Sequence, residues 1–220
     1  MKILHISDTH GKHRSLQNLP KADIIIHSGD ATEDGTESEM LDFLNWFCDL
    51  DYRHKIFVAG NHDLCLDGAK IGNLLTNCHY LCYSGVEIEN VKFWGIPDFL
   101  SIELIGYKSQ LIAQVPDETD ILISHLPPYG ILDFEDSNNF GCLDLLQIIQ
   151  KIRPKYHLFG HAFPSARKTE GIACCPCQRG NRAKNYFRRF CQKIQTHFRK
   201  FGTSSNKRAF GKGFYYIRGR

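Results

Sequence analysis

Apolar residues in this chain gather into short continuous runs, and most of those runs stop at a polar residue or a glycine. Residues 2–6, 23–27, 55–58, 121–123 and 156–159 are the clearest cases. Runs of this length, rich in Ile, Leu and Val, predict strands buried in a sheet. Between the second and third runs, Thr36-Glu37-Ser38-Glu39 reads as a capping box. It opens a helix that carries Met40, Leu41, Phe43, Leu44 and Phe47 at helical spacing. Shorter strands are expected at 80–81, 86–88 and 91–94, the last two joined by a hairpin at Glu89-Asn90. A helix is expected over 102–111. Pro127-Pro128 imposes an extended turn after the 121–124 strand. A further helix over 141–152 is expected to turn Leu143, Leu146, Ile149 and Ile152 inward and to end before Pro154. Strands alternating with helices make this an α/β chain.

That pattern fails after Pro164. Residues 167–180 show neither period, and 202–207 read as loop. Over 186–201, Phe187, Phe190, Ile194 and Phe198 recur among basic residues, which is compatible with a basic amphipathic helix. Charge divides the chain at the same place. Residues 1–163 hold 12 Lys and Arg against 23 Asp and Glu, a net of −11, whereas 164–220 hold 15 against Glu170 alone, a net of +14. The whole-chain value of +3 conceals this split. We therefore read a domain at 1–163 and a basic C-terminal segment at 164–220.

The nine cysteines are an odd number, and Cys48, Cys65, Cys78, Cys82 and Cys142 lie among apolar residues. They are expected to be free thiols in a reducing compartment. No run reaches the roughly 18 apolar residues of a membrane helix, and the first residues are too short an apolar run for a signal peptide. The expectation is a cytoplasmic, intracellular protein of undetermined oligomeric state.

The polar residues that end the strands carry the chemistry. They are Asp8-Thr9-His10, Gly29-Asp30, Gly60-Asn61-His62-Asp63, Ser124-His125 and Gly160-His161. Side chains at the ends of successive buried strands converge at one edge of a sheet. Carboxylates, imidazoles and a carboxamide with no thiolate make an oxygen and nitrogen site, suited to Mn, Fe or Zn. Asp30 is placed to bridge two such ions, which can together hold a phosphate and a bridging hydroxide for in-line attack. Asp8 and His10, two residues apart, share a side if the chain stays extended. His62, next to Asn61, is better placed as a general acid than as a ligand, with Glu33 as the acceptor that orients it. His5, His13, His27, His54, His79 and His157 fit no part of this site and are expected in the core, at helix ends or on the surface.

With these residues in place, the chain resembles the calcineurin-like metallophosphoesterases, whose pattern is D-x-H, G-D, G-N-H-[DE], H and G-H-x-H. The resemblance covers about residues 1–162 and is strongest to the metallophosphoesterase-domain-containing group. His125-Leu126-Pro127-Pro128-Tyr129-Gly130 and His157-Leu158-Phe159-Gly160-His161 are among the stretches that match. It implies a two-sheet β-sandwich flanked by helices, a dinuclear centre, and hydrolysis of a phosphodiester such as a cyclic nucleotide. Carried over by position, Asp8, His10 and Asp30 would bind one metal. Asp30, Asn61, His125 and His161 would bind the other, and His62 would be the acid. The chain departs from the pattern at Phe163, which stands where the last histidine is expected. That removes one ligand and implies reduced activity.

Three readings of 164–220 remain open. The segment can be a basic extension whose aromatic residues (Tyr186, Phe187, Phe190, Phe198, Tyr215 and Tyr216) help bind nucleic acid. It can be a divergent gene end that has lost the closing strands of relatives. Cys174, Cys175, Cys177 and Cys191 with His197 can also be read as an incomplete zinc site. A weakly active relative that binds nucleotide or nucleic acid through its phosphate site and basic tail is the functional alternative.

Overall fold

The computed structural model describes residues 1–72, 74–99, 101, 106–135, 138–161 and 215–218, with the backbone alone for Glu135 and for 215–218. The segment 164–214, Phe163, the 186–201 helix and the cysteine cluster at 174–191 lie outside the described residues.

Two sheets carry the fold. The first holds β1 (Lys2–Ile6), β2 (Ile24–His27), β3 (His54–Phe57), β4 (Cys78–Tyr80) and a terminal strand, β11 (Tyr215–Arg218), in the order β11-β1-β2-β3-β4. The second holds β5 (Ser84–Ile88), β6 (Val91–Ile96), β7 (Ile121–Ser124) and β10 (Tyr156–Leu158), in the order β10-β7-β6-β5. A two-stranded ribbon, β8 (Phe134–Glu135) with β9 (Asn138–Asn139), stands apart. Among the described residues the α-helices are α1 (Glu37–Asp49), α2 (Lys108–Ile112) and α3 (Leu143–Ile152).

The period-2 alternation of each strand distributes its side chains to two different cores. Ile3, Ile24, Ile26, Ile56 and Val58 face Phe93, Ile121, Ile123 and Leu158 across the space between the sheets. The alternate residues Leu4, Ile6, Ile25 and Phe57 pack on Met40, Phe43 and Phe47 of α1. On the outer side of the second sheet, Ile96 and Leu122 pack on Ile112, Leu145, Ile148 and Ile149. The result is helix, sheet, sheet, helix, which is the two-sheet sandwich flanked by helices that the resemblance implies. Strands covered on both faces have no solvated side, which is why they appear as unbroken apolar runs.

The capping box is present: Thr36 accepts a hydrogen bond from the Glu39 amide, and the Glu39 carboxylate accepts from the Thr36 amide. The hairpin is present as well, with Glu89 and Asn90 both left-handed, at φ 52 and 62. That is the geometry a two-residue turn between twisted strands requires.

Two expectations need correction, and a third is described only in part. The inner face of α3 is made by Leu145, Ile148 and Ile149, while Leu143 is 56% exposed. Leu143 sits at the first turn of the helix. Of the helix expected over 102–111, residues 102–105 lie outside the described residues, and the described part is α2, over Lys108–Ile112. Within the segment read as lacking strand pattern, Tyr215–Arg218 pairs antiparallel with β1, in the register Lys2↔Arg218 to His5↔Tyr215. Tyr215, Tyr216 and Ile217 are strand-favouring residues, but the run is only four residues long and stands apart from the alternating strands and helices of 1–163.

β1, β2, β3, β6, β7 and β10 all direct their carboxyl ends to one edge. Within each sheet these strands run parallel, with Ile6↔His27↔Phe57 in the first and Ile96↔Ser124 and Ile123↔Leu158 in the second. The loops leaving these ends form the site.

Candidate metal centre

Backbone hydrogen bonds sew the strand-end loops together before any side chain is considered. The Asp8 amide donates to Gly29 O at 2.9 Å, His10 to Asp30 O at 3.0 Å and Gly11 to Ala31 O at 2.9 Å. At the end of the second sheet, the His125 amide donates to Ile96 O at 3.2 Å and the Gly160 amide to His125 O at 3.0 Å. The His161 amide then closes the ring onto Asp8 Oδ1 at 3.1 Å.

Close approach of the loops explains the glycines in the strand-end pieces. Gly29 adopts φ +106, and a Cβ there would collide with the His125 ring and the Gly60 amide. A Cβ at Gly160 would run into the Asp8 carboxylate. Asp8, His10, Asp30 and His161 are themselves left-handed, at φ 53, 42, 58 and 72. Side chains tolerate this region only where surrounding contacts hold them there, which is common at functional sites. The extended backbone expected for Asp8 to His10 is therefore not what brings this segment to the site. Two left-handed turns do so.

The side chains converge in two groups that share Asp30. The ligand atoms of His10, Asp30 and His62 lie within 4.8 Å of one another, and so do those of Asp30, His125 and His161. Asp30 Oδ2 is 3.3 Å from His125 Nε2 and 3.7 Å from His10 Nε2. Asn61 Oδ1 faces the second group, 3.0 Å from His125 Nε2 and 2.9 Å from His161 Nδ1.

Asp8 belongs to neither group, because its oxygens are turned to the His161 amide. His62, read from the sequence as an acid, is instead drawn in beside His10, with ring centroids 4.7 Å apart. Glu33 does orient His62, but through its backbone carbonyl, 2.7 Å from His62 Nδ1. The Glu33 carboxylate points away to Lys12, at 3.9 Å.

A carbonyl can only accept, so the ring nitrogens that face carbonyls must carry the protons. His62 Nδ1–H donates to Glu33 O, and His125 Nδ1–H donates to Ser28 O at 3.0 Å. A metal-bound His125 would then direct its Nε2 lone pair at the shared centre, whereas a protonated His62 presents Nε2–H to it. This is the usual way in which a second hydrogen bond fixes a ligand histidine.

The electrostatics follow from crowding. Burial alone would depress His125, but the Asp30 carboxylate beside it, with Asp8 and the Ser28 carbonyl, hold it up to about 10. Burial likewise works to raise Asp30, yet His125 and the His62 amide keep it below the usual carboxylate range. Asp8 is pushed up by loss of hydration. Burial and the neighbouring His125 push His161 down. His62 moves up, chiefly because of its bond to Glu33 O.

A site of this make-up suits divalent cations. His125 Nε2 and His161 Nδ1 stand 3.2 Å apart, and both are turned on the same carboxamide oxygen next to a buried carboxylate. Concentrating lone pairs in this way is costly unless a cation collects them. The donors are nitrogen and oxygen only, which fits Mn, Fe or Zn.

Two residues that place the site carry no site role in the sequence reading. Asp63, 1% exposed, accepts from the Gly60 amide at 2.8 Å, the Thr32 amide at 2.9 Å and Thr32 Oγ1 at 2.9 Å, tying the loop after β3 to the loop after β2. Its place at the end of Gly60-Asn61-His62-Asp63 was the available signal. Glu39 accepts from the Glu33 and Asp34 amides at 3.2 and 3.2 Å as well as capping α1. No local pattern announces that second task. Four histidines outside the site are buried: His5, His13, His27 and His157.

An αββα sandwich with carboxylates, imidazoles and a carboxamide gathered at its strand ends defines a metal-dependent hydrolase architecture. The family described as calcineurin-like phosphoesterase matches residues 1–162, and the chain belongs to it. The chain is 33% identical over 208 residues to the UPF0046 protein K07C11.7 of Caenorhabditis elegans, covering 82% of this chain and 71% of that one. It is 32% identical over 195 residues to human metallophosphoesterase domain-containing protein 1, covering 73% of this chain and 60% of the human protein. A crystal structure at 13% identity shares the fold, with a TM-score of 0.53 over 73% of this chain and 84% of its own. Among the described residues, no helix is long and apolar enough to cross a membrane.

Proposed function

We propose that the protein hydrolyses a phosphodiester at a dinuclear centre, with a cyclic nucleotide among the candidate substrates. The observation that carries this reading is the sharing of Asp30 between two ligand groups. His10 and Asp30 would hold one cation, and Asp30, Asn61, His125 and His161 the other, with Asp8 bracing the His161 loop and His62 standing beside the first cation as the acid. When bound, divalent cations would neutralise the phosphate and acidify an attacking water.

The chain's own residues supply the rest. Asp30 and the buried His125 hold the centre of the site in place. His62, fixed at Nδ1 by Glu33 O, presents Nε2 towards the site. Its raised pKa favours the protonated form needed by a general acid. Water adds oxygen to phosphorus and gives up a proton to solvent, while the bond to the leaving oxygen breaks and that oxygen takes the His62 proton.

Metal content and turnover of a nitrophenyl phosphodiester with added Mn²⁺ should be measured for the wild type and Asp30→Asn. The reading requires the variant to lose both metals and turnover together. Full metal content in Asp30→Asn would end the bridging role. A protein that binds nucleotide or nucleic acid without hydrolysing it is the second reading, favoured by Phe163 and by the +14 of 164–220. Tight, salt-sensitive binding with no turnover at saturating metal would select it.

A further inference from the structure

Two thiols meet where the last turn of α1 packs on the start of β4. Cys48 Sγ lies 3.3 Å from Cys78 Sγ. Both are free cysteines; Cys48 is partly exposed, whereas Cys78 is 4% exposed. In the β3–β4 register Cys78 stands opposite Lys55. That is where β3 begins, at the far end of the strand from the loop that carries Asn61 and His62.

A buried cation completes the cluster. Lys55 is 2% exposed, and its Nζ donates to Tyr52 O at 3.3 Å. Residues directly opposite in a sheet direct their side chains to the same face, so Lys55 and Cys78 share the face covered by α1. Lysine is almost never fully buried without a partner for its charge. Burial and the neighbouring Cys48 push the Cys78 thiol up, and the Lys55 ammonium works against them. A cation beside a thiol favours the thiolate, which is the form that attacks another sulfur.

We propose that Cys48 and Cys78 form a peroxide-responsive dithiol that closes to a disulfide and staples the last turn of α1 to β4, the edge strand of the first sheet. The dithiol is the resting form. Hydrogen peroxide reaches Cys48 first, because Cys78 is covered. The Cys48 sulfur attacks one peroxide oxygen, the O–O bond breaks, and Cys48 becomes a sulfenic acid as one water leaves. The Cys78 sulfur then attacks the Cys48 sulfur. The S–O bond breaks, and the hydroxyl leaves with the Cys78 proton as a second water. The two thiols give up two electrons and two protons, and the peroxide is reduced to two waters. The sulfurs must close from 3.3 Å to the roughly 2.0 Å of a disulfide bond, a shift within the reach of side-chain rotation. The two cysteines are 30 residues apart in sequence, so the link also restricts the unfolded chain. This inference is independent of the phosphoesterase reading.

The test exposes the reduced full-length protein to hydrogen peroxide, blocks the remaining thiols with N-ethylmaleimide and maps the proteolytic fragments by mass spectrometry. Thermal midpoints are measured by calorimetry with and without dithiothreitol. A Cys48–Cys78 link is expected, with a rise in midpoint of roughly 5–10 °C that dithiothreitol reverses. Cys48→Ser should abolish both, and Cys82→Ser, which removes the next cysteine along the chain, should keep both. The wild-type fragment map decides the matter even if a variant does not fold. Maleimide on both Cys48 and Cys78 after peroxide treatment would overturn the site. So would oxidation of Cys48 to sulfinic acid with no link, or a link that forms only in urea. A link that leaves the midpoint unchanged or lower would overturn the staple.

Discussion

His62 Nδ1 and the backbone carbonyl oxygen of Glu33 lie 2.7 Å apart, and this one contact decides how the His62 ring faces the centre. It also makes the role of Glu33 one of backbone position. His62→Ala should lower turnover by roughly 10²–10⁴, with a smaller loss for substrates whose leaving groups need no proton. Glu33→Gln, which keeps the carbonyl, should have little effect. Rates for a series of aryl leaving groups check both. An equal loss across the series for His62→Ala would make His62 a ligand rather than an acid, as its place beside His10 and Asp30 allows.

Glu39 connects α1 to that contact. Its carboxylate caps the helix and receives the Glu33 and Asp34 amides. Glu39→Ala should therefore lower stability by about 1 kcal/mol, the usual worth of a cap, and also lower turnover by loosening the Glu33 carbonyl. Urea unfolding and kcat measured on the same preparation test the coupling. A stability loss with unchanged kcat would confine Glu39 to the helix.

The buried histidines set an acid limit. Burial lowers His5 and His157 to about 3, and His27 falls well below 6.5 as well. Below about pH 6.5 the unfolded chain takes up protons on these rings, while the folded protein does not until its own lower values are reached. Stability should therefore fall as pH drops from about 6.5 towards 3, by about 1.4 kcal/mol per pH unit for each ring. Urea midpoints across this range give the slope. His157→Gln, which can still reach Ser124, should remove one ring's share, and an unchanged slope would contradict the assignment.

Strand β11 gives the end of the chain a structural task. It pairs with β1, the strand that leads into Asp8 and His10. Removal of residues 214–220 should expose the β1 edge, lower the thermal midpoint by several degrees and increase aggregation. Calorimetry and light scattering would show this. A truncated protein with the same midpoint would make β11 dispensable.

Local sequence was enough to locate most of the site. Buried strands announce themselves as apolar runs, and the residues that must leave them for solvent are polar, so Asp30, Asn61, His125 and His161 stood out at the right ends. The capping box and the Glu89-Asn90 turn were legible because their chemistry spans two to four residues. The phase of α3 was misread because Leu143 and Leu145 are equally apolar, and only packing against Leu122 chooses between them.

What the sequence by itself determined was the set of donors and the order of the strands that deliver them, because burial and strand ends are short-range properties of the chain. Which donors meet was decided by the tertiary structure alone. The approach of Asn61 to His161, the turning of Asp8 to the His161 amide and the use of the Glu33 carbonyl depend on left-handed turns and on bonds between loops far apart in sequence. Such contacts form only when two sheets close on each other, and the hydrophobic pattern that drives this closure carries no record of the angles at which the loops emerge.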